Sequence, residues 1–199
     1  MQLKHGRVQM LVATRCATHK RSSSNSAPSS TGWGFLSEGN MDNGHFYFIT
    51  DQYFTDFPDP YLMKNKETIN GQTHNRPCFY AFEDFSHAGL FWMIPFSSQT
   101  NKFRKIYNSK ISKYKKCDTI VFGDVLGHQK AFLIQNMCPI TPKYINNEYL
   151  DSSTQLPVRI NGQLEKELVT KARRVLTLQR QGKKLIFPDV LKIEADLIQ

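Results

Sequence analysis

Hydrophobic positions fall mostly in short blocks along this chain. Residues 45–50, HFYFIT, form an aromatic and β-branched block that is typical of a strand. Residues 77–83 and 88–96 are two further blocks joined by a short polar stretch, which predicts an antiparallel hairpin. Residues 118–125 and 130–137 predict a second hairpin, with Gly127 at its turn.

Helical spacing appears in two longer segments. Residues 98–116 are basic and place Phe103, Ile111 and Tyr114 at near-helical intervals, which predicts one helix or two. Apolar residues recur at helical spacing from Asn161 until Gly182, a typical C-terminal stop. Short helices or turns are expected after residue 50, within residues 138–149 and at the C-terminus. These elements predict an α+β domain built on a small, strongly bent antiparallel β-sheet with flanking helices.

A change in composition marks the start of this domain. Residues 1–40 are rich in Ser and Gly, with one proline, Pro28, and contain one acidic residue, Glu38. Such a segment buries too little apolar surface to offset the entropy of ordering, so we expect disorder there. We expect it to be an upstream extension from a mis-assigned start codon, with an organelle transit peptide as the alternative. Residues 41–199, which begin with a well-patterned strand, are expected to form a single domain.

The charge balance points to a polyanionic partner. Lys and Arg number 26 against 17 acidic residues, which gives a net charge of +9, and residues 41–199 alone keep +5. No apolar run reaches the roughly 18 residues that a membrane-spanning helix needs. The four cysteines contain no C-x-x-C pair and the six histidines are scattered, so neither a disulfide framework nor a metal site is predicted. A cytoplasmic protein without a cofactor fits this composition.

The strongest local feature is a basic window that follows a serine pair. Between Asp84 and Asp118 the sequence has no acidic residue but seven Lys and Arg residues, and Ser97 and Ser98 precede the first of them. Cations interleaved with aromatic residues suit single-stranded RNA. Two simpler interpretations stand beside this one: a solvated helix face, and a serine that caps the following helix.

Metal-free RNA cleavage is the chemistry that such a surface could support. Neither a Ser-His-Asp arrangement nor a G-x-S-x-G motif is visible. When the nucleophile is the 2′-hydroxyl of the substrate, the protein has to orient it, transfer protons and stabilise charge on the phosphorane. Hydroxyl groups, backbone N–H groups and a lysine can do this.

Four motifs in order resemble one protein family. They are FYFIT..Y at residues 46–53, the dipeptide Arg76-Pro77, IPFSS at residues 94–98 and LIQNMCPI at residues 133–140. In this order they resemble the toxins of type III toxin-antitoxin systems, the ToxN, AbiQ, CptN and TenpN group. The likeness covers roughly residues 44–149.

The resemblance implies a fold and a function. The fold would be a bent-sheet barrel related to the MazF and Kid toxins. The activity would be metal-independent endoribonuclease cleavage that leaves a 2′,3′-cyclic phosphate. The partners would be the RNA substrate and a cognate repeat RNA antitoxin that inhibits the toxin in a closed toxin-RNA ring. Many such toxins act in phage defence by abortive infection.

The family's catalytic motif, P-[LI]-[ST]-S, falls on residues 95–98. By resemblance, Ser98 holds or polarises the scissile phosphate or the 2′-hydroxyl, with Ser97 beside it. ToxN has its lysine two residues after the second serine, where this chain has Thr100, so Lys102 is the candidate here. Tyr53 matches an active-site tyrosine of the family, and core packing is its alternative role.

The expected RNA-binding residues complete the set. Arg76 matches the arginine of the family's R-P position and would grip phosphate. Gln135 would read a base edge, with an edge-strand hydrogen bond as the alternative. The cations expected to contact phosphate are Lys64, Lys66, Arg104, Lys105, Lys110 and Lys113. Two rival functions remain open: a non-catalytic basic RNA-binding module, and a DNA-binding regulator that uses residues 164–180 as a recognition helix.

Overall fold

The computed structural model of this chain describes residues 41–63, 66–69, 72–75 and 79–199. The expected N-terminal extension, residues 1–40, lies outside them. The described residues all belong to one unit defined by internal contacts.

Nine β-strands are formed by the described residues, and seven of them build one antiparallel sheet. Its order is β6-β7-β5-β4-β1-β9, and β8 also pairs with β5, while β2 and β3 form a separate hairpin. In chain order the strands are β1 (Phe46–Ile49), β2 (Lys66–Ile69), β3 (Gln72–Asn75), β4 (Phe79–Glu83), β5 (Phe91–Ser97), β6 (Val121–Val125), β7 (His128–Phe132), β8 (Cys138–Ile140) and β9 (Ile145–Glu148).

The central strand β5 pairs with three others. One edge pairs with β4 along the predicted hairpin. The other edge is divided, because residues 91–93 pair with β8 and Phe96 and Ser97 pair with β7. Pro95 lies where the edge divides; it has no N–H group to donate, and its carbonyl accepts the Leu133 N–H at 2.8 Å. The end of β5 therefore belongs to the β6–β7 part of the sheet.

The predicted α+β class with an antiparallel sheet is confirmed, but the barrel is wrong. The described sheet begins at β6 and ends at β9, and these two edge strands do not pair with each other. A barrel requires every edge to be paired. The MazF-like and Kid-like closure that the resemblance implied is therefore absent from the described sheet.

Four α-helices flank the described sheet: α1 (Asp51–Asp56), α2 (Thr100–Tyr114), α3 (Gly162–Arg180) and α4 (Val190–Ile198). The basic window is thus one helix rather than two. The second hairpin is also present, with Leu126 and Gly127 both at positive φ in its two-residue turn. Its second strand is shorter than predicted, because it stops at Phe132 before a 3₁₀ turn, Ile134–Asn136.

Helix α3 covers one face of the sheet. Its buried stripe is Leu164, Leu168, Ala172, Val175 and Leu176, the periodicity that the sequence predicted. Strand β6 accommodates this helix through Gly123. A Cβ atom at Gly123 would lie 2.0 Å from a side-chain carbon of Leu164.

Two further hydrophobic clusters complete the core. The first joins α1 and α4 to the sheet and contains Tyr53, Phe79, Met93 and Ile193. The second lies under α2 and contains Phe103, Cys117, Ile120, Ala131 and Leu133. This second cluster fixes α2 against the β6–β7 hairpin, and so it positions the basic helix.

An ionic network connects the β4–β5 turn to α3 and α4. Arg180 donates to Asp84 at 3.3 Å and also to Glu194, and the Trp92 indole N–H donates to Asp84 at 2.8 Å. Burial by itself would raise the pKa of Asp84. The hydrogen bonds from Trp92, the Ser86 N–H and Arg180 outweigh it and hold that pKa below its ordinary value.

Candidate nucleic-acid interface

The serine pair lies between the end of β5 and the start of α2. Ser97 is the last residue of β5, and its hydroxyl accepts the Gln99 N–H at 3.1 Å. Ser98 is exposed, and its backbone carbonyl accepts the Thr100 N–H at 2.8 Å. Gln99 occupies the N-cap position of α2 without a side-chain cap bond. The interpretation of a serine as the helix cap is therefore wrong, and the Ser98 side chain faces solvent.

The start of α2 is electropositive. Because Gln99 makes no side-chain cap bond, the N–H groups of the first turn other than that of Thr100, together with the helix dipole, present partial positive charge beside Ser98. Lys102 lies in this turn and is exposed, with its ammonium 5.6 Å from the centre of the Phe103 ring. Backbone donors and a lysine thus occur together at the serine pair, which suits an anionic group.

Strand β7 places the backbone of a second lysine beside the serine pair, but this lysine is opposite Gly123, so its side chain leaves the hairpin on the face that α3 covers. The register pairs Ser97 with Ala131, so Lys130 is the next residue of β7 on the side of Ser98. Lys130 is half-buried. The sequence analysis missed it because no local motif connects residue 130 with residue 98. Only the pairing of β5 with β7 does so.

Arg104 fixes the first turns of α2 on the hairpin. Its guanidinium lies 3.5 Å from the centre of the Phe122 ring and donates to the Gln129 side chain at 3.3 Å. Directly opposite residues of an antiparallel pair project from the same face. Asp124 is opposite Gln129, so this exposed carboxylate lies on the same face of the hairpin as Arg104.

Three of the predicted phosphate-binding cations and the predicted catalytic lysine are exposed on α2, and together they are here called the cationic face: Arg104, Lys105, Lys113 and Lys102. None of these four takes part in a salt bridge with a described residue. Lys113 lies 5.1 Å from the centre of the Tyr114 ring, which is 58% exposed. The cationic face therefore lies on the same helix as an exposed aromatic ring, a combination that proteins use to bind single-stranded nucleic acid.

Lys110 and Gln135 do not belong to the cationic face. The Lys110 ammonium points to the inner side of α2 and donates to Thr119 and Gln135, each at 2.7 Å. Burial lowers the pKa of Lys110. Gln135 is only 3% exposed and lies on the 3₁₀ turn rather than on an edge strand. Its side chain accepts from Lys110, so the proposed contact with a base edge is incompatible with this placement.

Tyr53 lies in the core. Its side chain is fully buried, its hydroxyl donates to the Pro139 carbonyl at 2.7 Å, and its ring packs against Phe57 and Tyr144. Burial raises the pKa of this phenol well above its ordinary value. A group with no exposed surface cannot touch an RNA phosphate, so the structure corrects the catalytic assignment in favour of the packing alternative.

Three predicted RNA-binding residues lie wholly or partly outside the described part of the chain. Lys64 and Arg76 lie outside the described residues, and Lys66 is described only through the backbone of β2. Within the described parts of the chain, no group of three or more His, Cys, Asp or Glu residues is arranged to hold a metal ion.

Comparison with models of known protein families found no match, and neither did a comparison with curated proteins. Among the helices of the described residues, none combines the length and the apolar character needed to cross a membrane.

Proposed function

We propose that this protein is a metal-independent endoribonuclease, like the type III toxins that it resembles, and that Ser98 belongs to the catalytic site at which it cleaves single-stranded RNA. The observation that supports this most strongly is the composition of one surface. Exposed Ser98 adjoins the start of α2, Lys102 lies in the first turn of that helix, and the register places the backbone of Lys130 beside the serine pair. The cationic face of α2 continues from this point and would guide the RNA backbone.

In the proposed reaction, the 2′-oxygen attacks the adjacent phosphorus and the bond from phosphorus to the 5′-oxygen breaks. The products are a 2′,3′-cyclic phosphate and a 5′-hydroxyl. Ser98 would hold the phosphate or the 2′-hydroxyl, and the first-turn N–H groups of α2 would stabilise the charge on the phosphorane. Lys102 or Lys130 would neutralise a non-bridging oxygen or donate the proton that the leaving 5′-oxygen takes up.

The 2′-hydroxyl also needs a proton acceptor. Asp124 is our candidate, because it is exposed and shares the hairpin face that carries Gln129 and Arg104. An exposed carboxylate is a group of the kind that acts as a general base. Asp124→Asn would then lower the cleavage rate without lowering RNA affinity.

The partners follow from the same resemblance. We propose that a cognate repeat RNA antitoxin occupies the cationic face and inhibits the enzyme in a closed toxin-RNA ring. The biological role would be phage defence by abortive infection in the bacterial cytoplasm. The four cations of the cationic face support an RNA inhibitor rather than a basic protein one.

A duplex DNA regulator is less well supported by the same surfaces. The recognition helix of that rival would be α3, yet Lys171 on α3 pairs with Glu167 at 2.7 Å and Arg174 pairs with Asp118 at 3.5 Å. These carboxylates reduce the positive charge that the helix offers to phosphates. Helix α2 contains no acidic residue.

Growth of a bacterial host after induced expression tests the proposal. The variants are Ser98→Ala, Lys102→Ala and Lys130→Ala, with Ser109→Ala as the matched control because Ser109 is an exposed serine farther along α2. We expect arrest and new 5′-hydroxyl RNA ends with the wild type and Ser109→Ala, and neither with Ser98→Ala. Of the two lysine variants, the one that abolishes arrest identifies the catalytic lysine. Normal growth with folded wild-type protein would instead support a non-catalytic RNA-binding module.

A further inference from the structure

A groove lies between residues 59–61 and the segment that joins α3 to α4, and we call it the side groove. Its volume is about 390 Å³. That volume falls within the roughly 300–1,000 Å³ range of small-molecule sites, so the groove has room for one nucleotide. Half-buried Leu191 contributes apolar surface to it, over the buried Ile186.

Two exposed aromatic side chains line the side groove. Tyr61 is 58% exposed and Phe187 is 44% exposed. Single exposed apolar residues are ordinary on protein surfaces, but two aromatic rings in one concave site form a stacking platform. Phe187 is held in place because its N–H donates to the Gln135 carbonyl at 2.8 Å.

The two sides of the side groove are held together by Asp59. One carboxylate oxygen accepts the Tyr61 N–H at 2.7 Å and the other accepts the Asp189 N–H at 2.8 Å. The aromatic rings are therefore carried by backbone segments that are already connected. Such preorganisation lowers the entropic cost of binding a ligand.

The charges of the side groove favour a base over a phosphate within it. Asp59 and Asp189 place carboxylates at the lining, which repel a phosphate but accept the N–H groups of a base edge. The ammonium of Lys184 lies 6.0 Å from the centre of the Tyr61 ring. Lys183, the preceding residue, is also exposed. Positive charge thus accompanies the aromatic ring, where the phosphate attached to a stacked base could be neutralised.

The side groove is also connected to the basic helix. Gln135, whose carbonyl holds Phe187, accepts with its side chain from Lys110 on the inner side of α2. Met63, two residues after Tyr61, packs against the hydrophobic cluster under α2. These contacts link the side groove to the inner side of α2 through the interior of the protein.

We propose that the side groove binds an unstacked nucleobase of single-stranded RNA, with Tyr61 and Phe187 as stacking partners. The choice of RNA as the ligand rests on the proposed function. The site itself is separate from the serine pair and needs no cleavage. A proline-containing peptide also suits aromatic grooves and is the rival occupant.

Fluorescence anisotropy with the full chain tests this inference. The probe is a labelled ten-nucleotide 2′-O-methyl RNA, which lacks the attacking hydroxyl, and a second probe has the same phosphates but abasic sugars. We expect Tyr61→Ala to weaken binding of the first probe about tenfold or more. Tyr61→Phe should retain the affinity. Phe85→Ala, which removes a ring that is 76% exposed outside the side groove, should leave it unchanged.

The abasic probe separates stacking from charge. It should bind the wild type and Tyr61→Ala with the same weaker affinity. Equal affinity of the wild type and Tyr61→Ala for the base-bearing probe would overturn the inference, as would the absence of binding. The inference would also be overturned if Tyr61→Ala weakened binding of both probes by the same factor, since the lost affinity could then not come from stacking on a base. If Tyr61→Ala binds the base-bearing probe as tightly as the wild type and the protein still cleaves RNA, the proposed endoribonuclease function stands and only the side-groove inference fails.

Discussion

Replacement of Tyr53 by phenylalanine distinguishes a core residue from a catalytic one. The substitution removes only the hydroxyl group, which donates to the Pro139 carbonyl at 2.7 Å in a fully buried site. The ring and its contacts with Phe57 and Tyr144 remain. We therefore predict that Tyr53→Phe lowers the free energy of unfolding but leaves RNA cleavage at the serine pair unchanged.

The size of this loss follows from the acceptor that is left behind. A buried carbonyl without its donor costs about 1–3 kcal/mol, so Tyr53→Phe should lower the free energy of unfolding by that amount. At about 2–4 °C per kcal/mol for a chain of this size, the melting temperature should fall by several degrees. Tyr53→Ala also removes the ring and should cost about 3–5 kcal/mol, as large-to-small aromatic substitutions do in cores.

Urea unfolding followed by circular dichroism measures the change, and RNA cleavage per folded molecule is measured on the same samples. Tyr61→Phe is the matched control, since it removes the hydroxyl of an exposed tyrosine and should leave stability unchanged. The reasoning is refuted if Tyr53→Phe keeps wild-type stability but loses cleavage by about a hundredfold or more. That result would mean that the phenol reaches the substrate.

Three further predictions concern packing, acid stability and the cationic face. Gly123→Ala should destabilise the fold by about 3 kcal/mol in urea unfolding, since its Cβ would overlap Leu164, and adding Leu164→Ala should cost less than the sum of the two single changes. Asp84→Asn should cost about 2 kcal/mol at neutral pH. Because the folded-state pKa of Asp84 is lowered, this contribution is present above about pH 4 and is lost as pH falls through the folded value, so unfolding curves of wild type and variant should converge in acid. Lys113→Met should reduce the slope of log binding constant against log salt concentration for RNA by about 0.7. Lys110→Met should change this slope by less than half as much, because the Lys110 ammonium is turned inward to two neutral oxygens. Equal reductions would contradict the placement of Lys110.

Local patterns predicted the main elements of the fold. The stripe from Leu164 to Leu176 determined one face of α3, and Leu126-Gly127 determined the turn of the second hairpin. These features depend on residues close together in sequence. The hairpin β2–β3 and the strand β9 were missed, since their sequences, such as INNE at Ile145–Glu148, lack the apolar alternation of a half-buried strand.

The candidate site was only partly predictable. Ser98 and the exposed cations of α2 could be found because the strand end and the acid-free window are adjacent in sequence. Tyr53 and Gln135 were misplaced, since their burial depends on which face of a distant strand covers them. Lys130 was missed for the converse reason, because only the pairing of Ser97 with Ala131 brings it to the serine pair.

Cleavage of a single-stranded RNA by the purified full chain in the presence of a chelator tests the central claim most directly. The account predicts fragments with 2′,3′-cyclic phosphate and 5′-hydroxyl ends from the wild type and from Ser109→Ala. It predicts no such fragments from folded Ser98→Ala. Intact RNA with the wild type, or the same fragments with Ser98→Ala, would contradict the claim that this serine pair is the catalytic site of an endoribonuclease.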